Sequence, residues 1–322
     1  GQDSIVTIDN SSITWGSGNI DINPRFINAE NDDYHLLASS QLINAGHPDS
    51  TDSDGSRADM GAYPYLNSYS GPTWYITEAG NDTTATGASD DPFRSIQAGI
   101  NFSSDADSVT VAAGTYVENI NFRGRNIKVA GADRETTFID GNENGTVVTF
   151  KNPNGEFNQY QDAVLKNFTI TNGSGWTDGS GIKLHNNSSP TLTDLIITDN
   201  NSYQSGGGIS CENSSHPNIE NVIVSNNTSA SAGGVLCFYS NPTLTNVNIT
   251  GNAATTNYGG GLYISGSNPV LKNVTITDNS ANMYGGGIYI YASSAPTLDQ
   301  VTITGNMANE NGGGIYLDQN NN

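Results

Sequence analysis

The stretch Pro269-Val-Leu-Lys-Asn-Val274-Thr-Ile-Thr-Asp-Asn279-Ser-Ala-Asn-Met-Tyr-Gly-Gly-Gly287-Ile-Tyr-Ile290 decides the fold, because it is one beat of a pattern that runs through the second half of the chain. Its opening proline has counterparts at Pro190, Pro217, Pro242 and Pro296, and its last glycine at Gly181, Gly208, Gly234, Gly261 and Gly314. Successive markers lie 25 to 27 residues apart. Between proline and glycine runs one short pattern: Leu195-Ile-Ile-Thr, Val222-Ile-Val-Ser, Val247-Asn-Ile-Thr, Val274-Thr-Ile-Thr and Val301-Thr-Ile-Thr. After the glycines comes another: Ile209-Ser-Cys, Val235-Leu-Cys, Leu262-Tyr-Ile, Ile288-Tyr-Ile and Ile315-Tyr-Leu. Alternation in such short runs means strands with one face in and one face out. A strand this short cannot bury its inner face alone, but stacking equivalent strands from coil to coil builds parallel sheets around one continuous core. The repeat is too long for a left-handed hexapeptide coil, and no helix signal interrupts it. The pattern predicts an all-β, right-handed parallel β-helix solenoid with three sheets and about 26–27 residues per coil.

Polar residues keep the same beat. Asn200, Asn227, Asn252, Asn279 and Asn306 each follow a strand, where an asparagine can turn the chain and bond to its counterparts above and below as a ladder. Cys211 and Cys237 sit one repeat apart, which suits two stacked buried thiols in an aliphatic slot and leaves a disulfide between rungs open.

Composition removes some functions. Lys plus Arg is 11 against 32 Asp plus Glu, a net charge of −21, so the clustered cations that phosphate binding needs are missing and nucleic acid is excluded as a partner. No apolar run reaches the roughly eighteen residues of a membrane-spanning helix, so no membrane insertion is expected.

The ends differ from the repeats. Trp74-Tyr-Ile-Thr reads as a strand, and Pro92-Phe-Arg-Ser-Ile-Gln-Ala-Gly-Ile as a short capping helix near 92–101, with Pro92 in its first turn and Asp91 near its cap. Ile96 and Ile100 share a face, so this helix is expected to plug the open end of the core. Together with Val111-Ala-Ala-Gly-Thr-Tyr-Val-Glu-Asn-Ile, these residues resemble the amino-terminal part of pectin-lyase-like β-helix proteins, large secreted bacterial proteins. The resemblance covers about residues 74–322. It implies the fold and an extracellular or cell-surface location, but no single activity, since the superfamily holds lyases, hydrolases, adhesins and spacers. Asn19-Ile-Asp-Ile-Asn-Pro-Arg-Phe, Asp33-Tyr-His-Leu and Asp59-Met-Gly-Ala-Tyr resemble the carboxy-terminal closing segment of the same proteins. The sequence therefore divides into a closing segment (1–66), a linker (67–73), a cap with first coils (74–150) and regular repeats (151–322). A closing piece placed first suggests either a window on a tandem array or subunits that join head to tail.

Three groups of side chains are candidates for chemistry. Asp49, Asp52, Asp54 and Asp59 flank Gly55 in an oxygen-rich turn that suits calcium, the one cofactor expected, with Arg57 as a competing partner for a carboxylate. Tyr263, Tyr289 and Tyr316 occupy one outward position in successive coils, a flat aromatic strip able to stack on sugar rings or on a neighbouring molecule. Thr275, Thr277, Thr302 and Thr304 form an outward array like the flat faces of ice-binding β-helices. Lyases of the superfamily use a Lys or Arg base with cations on the substrate carboxylate. Here Lys151, Lys166, Lys183 and Lys272 share no register, and His35, His47, His185 and His216 are dispersed as surface or turn residues. The sequence thus points to a structural extracellular or filament protein assembling head to tail. A carbohydrate-binding or polysaccharide-degrading solenoid is the alternative, and an ice-binding one the minor alternative.

Overall fold

The computed structural model describes residues 22–151, 160–175 and 179–318. They form the expected parallel solenoid, coiled around four sheets where the sequence pattern shows three. Along each coil the chain meets a nine-stranded first sheet (strands such as Thr191–Thr193 and Thr243–Thr245) and an eight-stranded second sheet (Ile196–Thr198, Thr275–Thr277). A short six-stranded third sheet follows (Asn201–Ser205, Ser280–Ala281), and then an eight-stranded fourth (Ile182–His185, Val235–Phe238). The third sheet escapes a reading by hydrophobic period because its pairs, such as Ala253–Ala254 against Ser280–Ala281, are small residues without apolar alternation.

Inward residues stack in files, for example Leu165, Leu192, Ile219, Leu244 and Leu271 on the first sheet, all fully buried. Ridding these files of water is the main driving force for the fold. Two polar ladders hold the corners. The Asn252 side chain donates to Asn279 Oδ1 at 2.9 Å and to the Val224 carbonyl, and its own oxygen receives the Asn227 amide and side chain at 3.0 Å each. The same bonds join Asn200 to Asn227 and Asn279 to Asn306. A second ladder runs through Ser215, Ser240, Ser267 and Ser294, whose hydroxyls each receive the backbone N–H of the serine one coil earlier. The glycine clusters mark where coils touch backbone to backbone. A Cβ on Gly208 or Gly261 would lie 2.7 Å from the carbonyl oxygen of the next coil's glycine, closer than any side chain tolerates.

The amino-terminal cap is built around an α-helix, α1, Ile96–Phe102, whose Ile96, Ala98 and Ile100 are buried in the core as expected. It starts later than the sequence suggests, and Pro92 and Asp91 lie outside it. Asp91 Oδ2 instead receives the Thr86 N–H and hydroxyl. The buried N–H groups at the start of the helix, which have no partner within it, are met from the following coil, where the Glu118 carboxylate accepts from Ile96 at 2.7 Å and Gln97 at 3.0 Å. At the other end Arg125 donates to the Ile100 carbonyl and Arg123 to Asn101 Oδ1. An anion at the amino end and cations at the carboxyl end both complement the helix dipole.

Burial pushes the Glu118 carboxyl up to about 7, with the Ile96 and Gln97 N–H groups opposing only part of that rise. A carboxyl whose folded value exceeds its ordinary 4.5 contributes stability at low pH that is lost as pH rises through about 7. The melting temperature is therefore expected to fall between pH 5 and pH 8, roughly the window between those values, and Glu118→Gln is expected to flatten that slope. An unchanged slope in the variant would show that Glu118 is not its source.

Residues 22–66 pack on this same cap. Phe26–Asn28 pairs antiparallel with Asp33–Leu36, and Ala38 enters the core. Asn101 is the hub of the seam. Its Nδ2 donates to the Ala38 and Ser40 carbonyls at 2.9 and 2.8 Å, while Oδ1 receives Gln97 and Arg123. Arg123 also donates to the Ile43 carbonyl, and Tyr65 to that of Ala85. The 67–73 stretch is likewise packed, with Asn67 bonded to Thr86 and Tyr69 edge-on to Trp74. Residues 1–21 of the proposed closing segment lie outside the described residues.

Candidate functional site

The outer face of the fourth sheet gathers the side chains that carry chemistry. One file runs Lys183, Ser210, Leu236, Tyr263, Tyr289 and Tyr316, each paired in register with the next. Beside it Lys151 pairs with His185, and Glu212, Phe238, Ser265 and Tyr291 form one continuous file.

The tyrosine file is in register as expected but is not a flat strip. Tyr258 and Tyr284, contributed by the segments that enter the glycine clusters, fold over it. Tyr258 stacks on Tyr289 at 4.6 Å and Tyr284 on Tyr316 at 4.6 Å, while Tyr263 meets Tyr289 edge-on at 5.1 Å. Tyr289 is left 4% exposed, and its hydroxyl donates to Asp318 at 2.9 Å. Five rings thus interlock into a block whose central member has no face to offer a ligand. The signal was in the sequence: Tyr258 and Tyr284 stand one repeat apart, just ahead of their glycines.

A few rungs away the same face holds a polar cluster that sequence reasoning did not assemble. Glu212 is only 7% exposed. Its Oε1 receives the Ser210 hydroxyl at 2.5 Å and lies 3.8 Å from Lys183 Nζ, and its Oε2 lies 3.9 Å from His185 Nε2. The Asn213 amide reaches the same His185 nitrogen at 2.8 Å. Lys183 and His185 meet because residues two apart on a strand share a face, and the next coil places Glu212 against both.

On the rung next to Glu212, Phe238 and Tyr239 form an edge-to-face pair with centroids 4.6 Å apart. They are 40% and 57% exposed. Tyr239 has φ 47, the left-handed region that a bulky side chain rarely occupies. The same corner carries Asn213 (φ 51) one coil earlier and Gly266 (φ 57) one coil later, residues suited to it. The Tyr239 ring lies against Gly266, where an added Cβ would come within 2.6 Å of it.

The other sequence candidates are not gathered into sites. Among the described residues no three acidic, histidine or cysteine side chains are placed to hold a metal ion. Three of the four aspartates expected to bind calcium accept backbone N–H groups of their own segment. Asp52 accepts the Asp59 N–H, Asp54 those of Ser56 and Asn67, and Asp59 those of Asn44 and Tyr65, while Asp49 stays exposed beside His47. Arg57 donates to the Gly46 carbonyl and not to a carboxylate. Thr275 and Thr277 pair in register with Thr302 and Thr304 on the second sheet, and the Thr277 hydroxyl donates to that of Thr250 at 3.1 Å. Cys211 and Cys237 are neighbours on adjacent rungs, both buried and both free thiols. Among the described residues no helix is long and apolar enough to cross a membrane.

Comparison with known proteins places the chain by architecture. A family model described as a right-handed beta helix region matches residues 98–279 and 161–322. No curated protein matches the chain significantly. Solved structures that resemble it include pectin methylesterase PemA from Erwinia chrysanthemi, at 12% identity and TM-score 0.43 over 68% of this chain and 80% of that one. Pectin methylesterase from carrot gives 11% and 0.42 over 79% and 90%, and pectate lyase Pel9A 12% and 0.36 over 72% and 78%. Likeness of this degree says nothing about activity. The parallel solenoid and the family model that spans most of it agree, and the chain belongs to the right-handed beta helix family.

Proposed function

We propose that this chain binds polysaccharide on the outer face of the fourth sheet, in an extracellular or cell-surface setting. Phe238 and Tyr239 act as the stacking platform, with Glu212, Lys183, His185 and Asn213 as the polar groups beside it. The observation that carries this reading is Tyr239. A large ring held more than half exposed, on backbone that costs about 1–3 kcal/mol to adopt, points to a use at the surface. Aromatic faces next to a few fixed polar groups suit sugar rings, which offer C–H on their faces and hydroxyls at their edges. Tyr263 and Tyr316, both half-buried, continue the same face as a rigid extension. Among the described residues the cluster is built around one carboxylate, Glu212, where glycoside hydrolysis commonly uses two, so we propose binding and not cleavage.

Head-to-tail assembly would need residues 22–66 free to close a neighbour's coil. They are engaged on their own chain's helix through Asn101, Arg123 and Tyr65, so nothing favours that reading over this one.

Affinity electrophoresis in gels containing soluble polysaccharides tests the proposal. Tyr239→Gly removes the ring and places at that corner the residue type found one coil later. Retardation is expected to drop at least about ten-fold in apparent affinity, with the melting temperature equal or higher. A variant retarded as strongly as the parent would remove the platform.

A further inference from the structure

The site's charge pattern narrows its ligand. We infer that the saccharide taken on Phe238 and Tyr239 is a neutral one, recognised through its hydroxyls by Glu212, an inference that rests on the polysaccharide-binding reading above. The group in register beside Phe238 is the Glu212 carboxylate, and Lys183 lies on the far side of it with its charge already matched at 3.8 Å. A sugar stacked on the aromatic pair therefore meets a fixed anion first. A sugar carboxylate or sulfate there would sit against Glu212, whereas a hydroxyl would donate to it. Oxygen Oε1 is occupied by Ser210 and Lys183. Among the described residues no donor reaches Oε2 within hydrogen-bond distance, with His185 Nε2 at 3.9 Å, so this oxygen is the acceptor left for a ligand hydroxyl. The Asn213 amide, exposed on the same rung as Glu212, lies beside it.

The rest of the chain reinforces the choice. A net charge of −21 surrounds any approaching chain with a repulsive field for polyanions. Among the described residues the nearby cation in no ion pair, Lys151, pairs with His185 and stands three rungs from Phe238. Exposed charges farther apart than about 8 Å are largely screened at physiological salt, so Lys151 offers little to a group seated on the platform.

The experiment is titration calorimetry of the purified chain with two sets of soluble polysaccharides at low and high salt. One set is neutral (a glucan, a galactan and a xylan) and the other anionic (polygalacturonate and alginate). The expected result is binding to at least one neutral polymer with little dependence on salt. Tyr239→Gly abolishes it, and Glu212→Gln weakens it roughly ten-fold, because the amide keeps an acceptor oxygen but loses the charge that strengthens the bond. Should Glu212→Gln fail to fold, Asn213→Gly, at an exposed left-handed corner, provides the second readout through a weaker loss. Binding confined to the anionic polymers and falling steeply with salt would overturn neutral-sugar recognition and leave the polysaccharide reading standing. Neutral binding unaffected by Glu212→Gln in a folded variant would overturn the role of Glu212. No binding to either set would remove both.

Discussion

Replacing Asn252 by leucine is expected to destabilise the middle of the solenoid by about 3–5 kcal/mol. Asn252 is fully buried in the middle of the asparagine ladder. Leucine is close in size but can neither accept the Asn227 N–H and side chain nor donate to Asn279 and the Val224 carbonyl. Each buried group left without a partner costs about 1–3 kcal/mol, and several are orphaned at once. Asn306→Leu provides the control. It stands at the end of the described ladder and is half-buried, so water can replace the lost bonds. Because solenoids depart from two-state unfolding, hydrogen exchange of coils 222–255 is the proper readout. Equal effects at 252 and 306 would show that the ladder does not act as a buried network.

A comparable loss is expected for Asn101→Leu, read as separation of the amino-terminal segment from the solenoid. The Asn101 side chain makes all the bonds an amide can make, two donated to Ala38 and Ser40 and two accepted from Gln97 and Arg123. Its loss leaves the half-buried Arg123 guanidinium, among the described residues, with the Ile43 carbonyl as its remaining hydrogen-bond partner. About 3–5 kcal/mol is lost, since several donors and acceptors are orphaned at once at about 1–3 kcal/mol each. Limited proteolysis should then cut between residues 37 and 70 well before the coils. Cleavage at the parent rate would mean that the apolar contacts of Ala38 and Tyr65 hold the segment without the hub.

The coil length, the parallel stacking, the asparagine ladder and the plugging helix were all legible, because each is written as a residue type recurring at a fixed interval. What was missed lacks that signature. The third sheet is made mostly of short strands of small residues with no hydrophobic period. The caps of α1 come from Glu118 and Arg125, more than twenty residues on, and no local capping rule reaches that far. The serine ladder was in plain sight, two residues ahead of each proline. At the site, counting lysines and histidines by register hid the Lys183–Glu212–His185 cluster, since its members sit on two neighbouring rungs and not in one file. Tyr239 could have been found as the one bulky residue at a corner that carries Asn213 and Gly266 in adjacent coils. The tyrosine file was read correctly as a file and wrongly as a strip, because a strand pattern shows which residues align but not what folds over them.

The central claim is that sugar rings stack on Phe238 and Tyr239 beside Glu212. Its most direct test is a crystal structure of the chain soaked with an oligosaccharide cut from the polymer it binds best. The account predicts a ring lying face-on to Tyr239 with a hydroxyl within hydrogen-bond distance of Glu212 Oε2. Sugar found instead along the threonines of the second sheet, or against residues 22–66, with the aromatic pair bare, would contradict it.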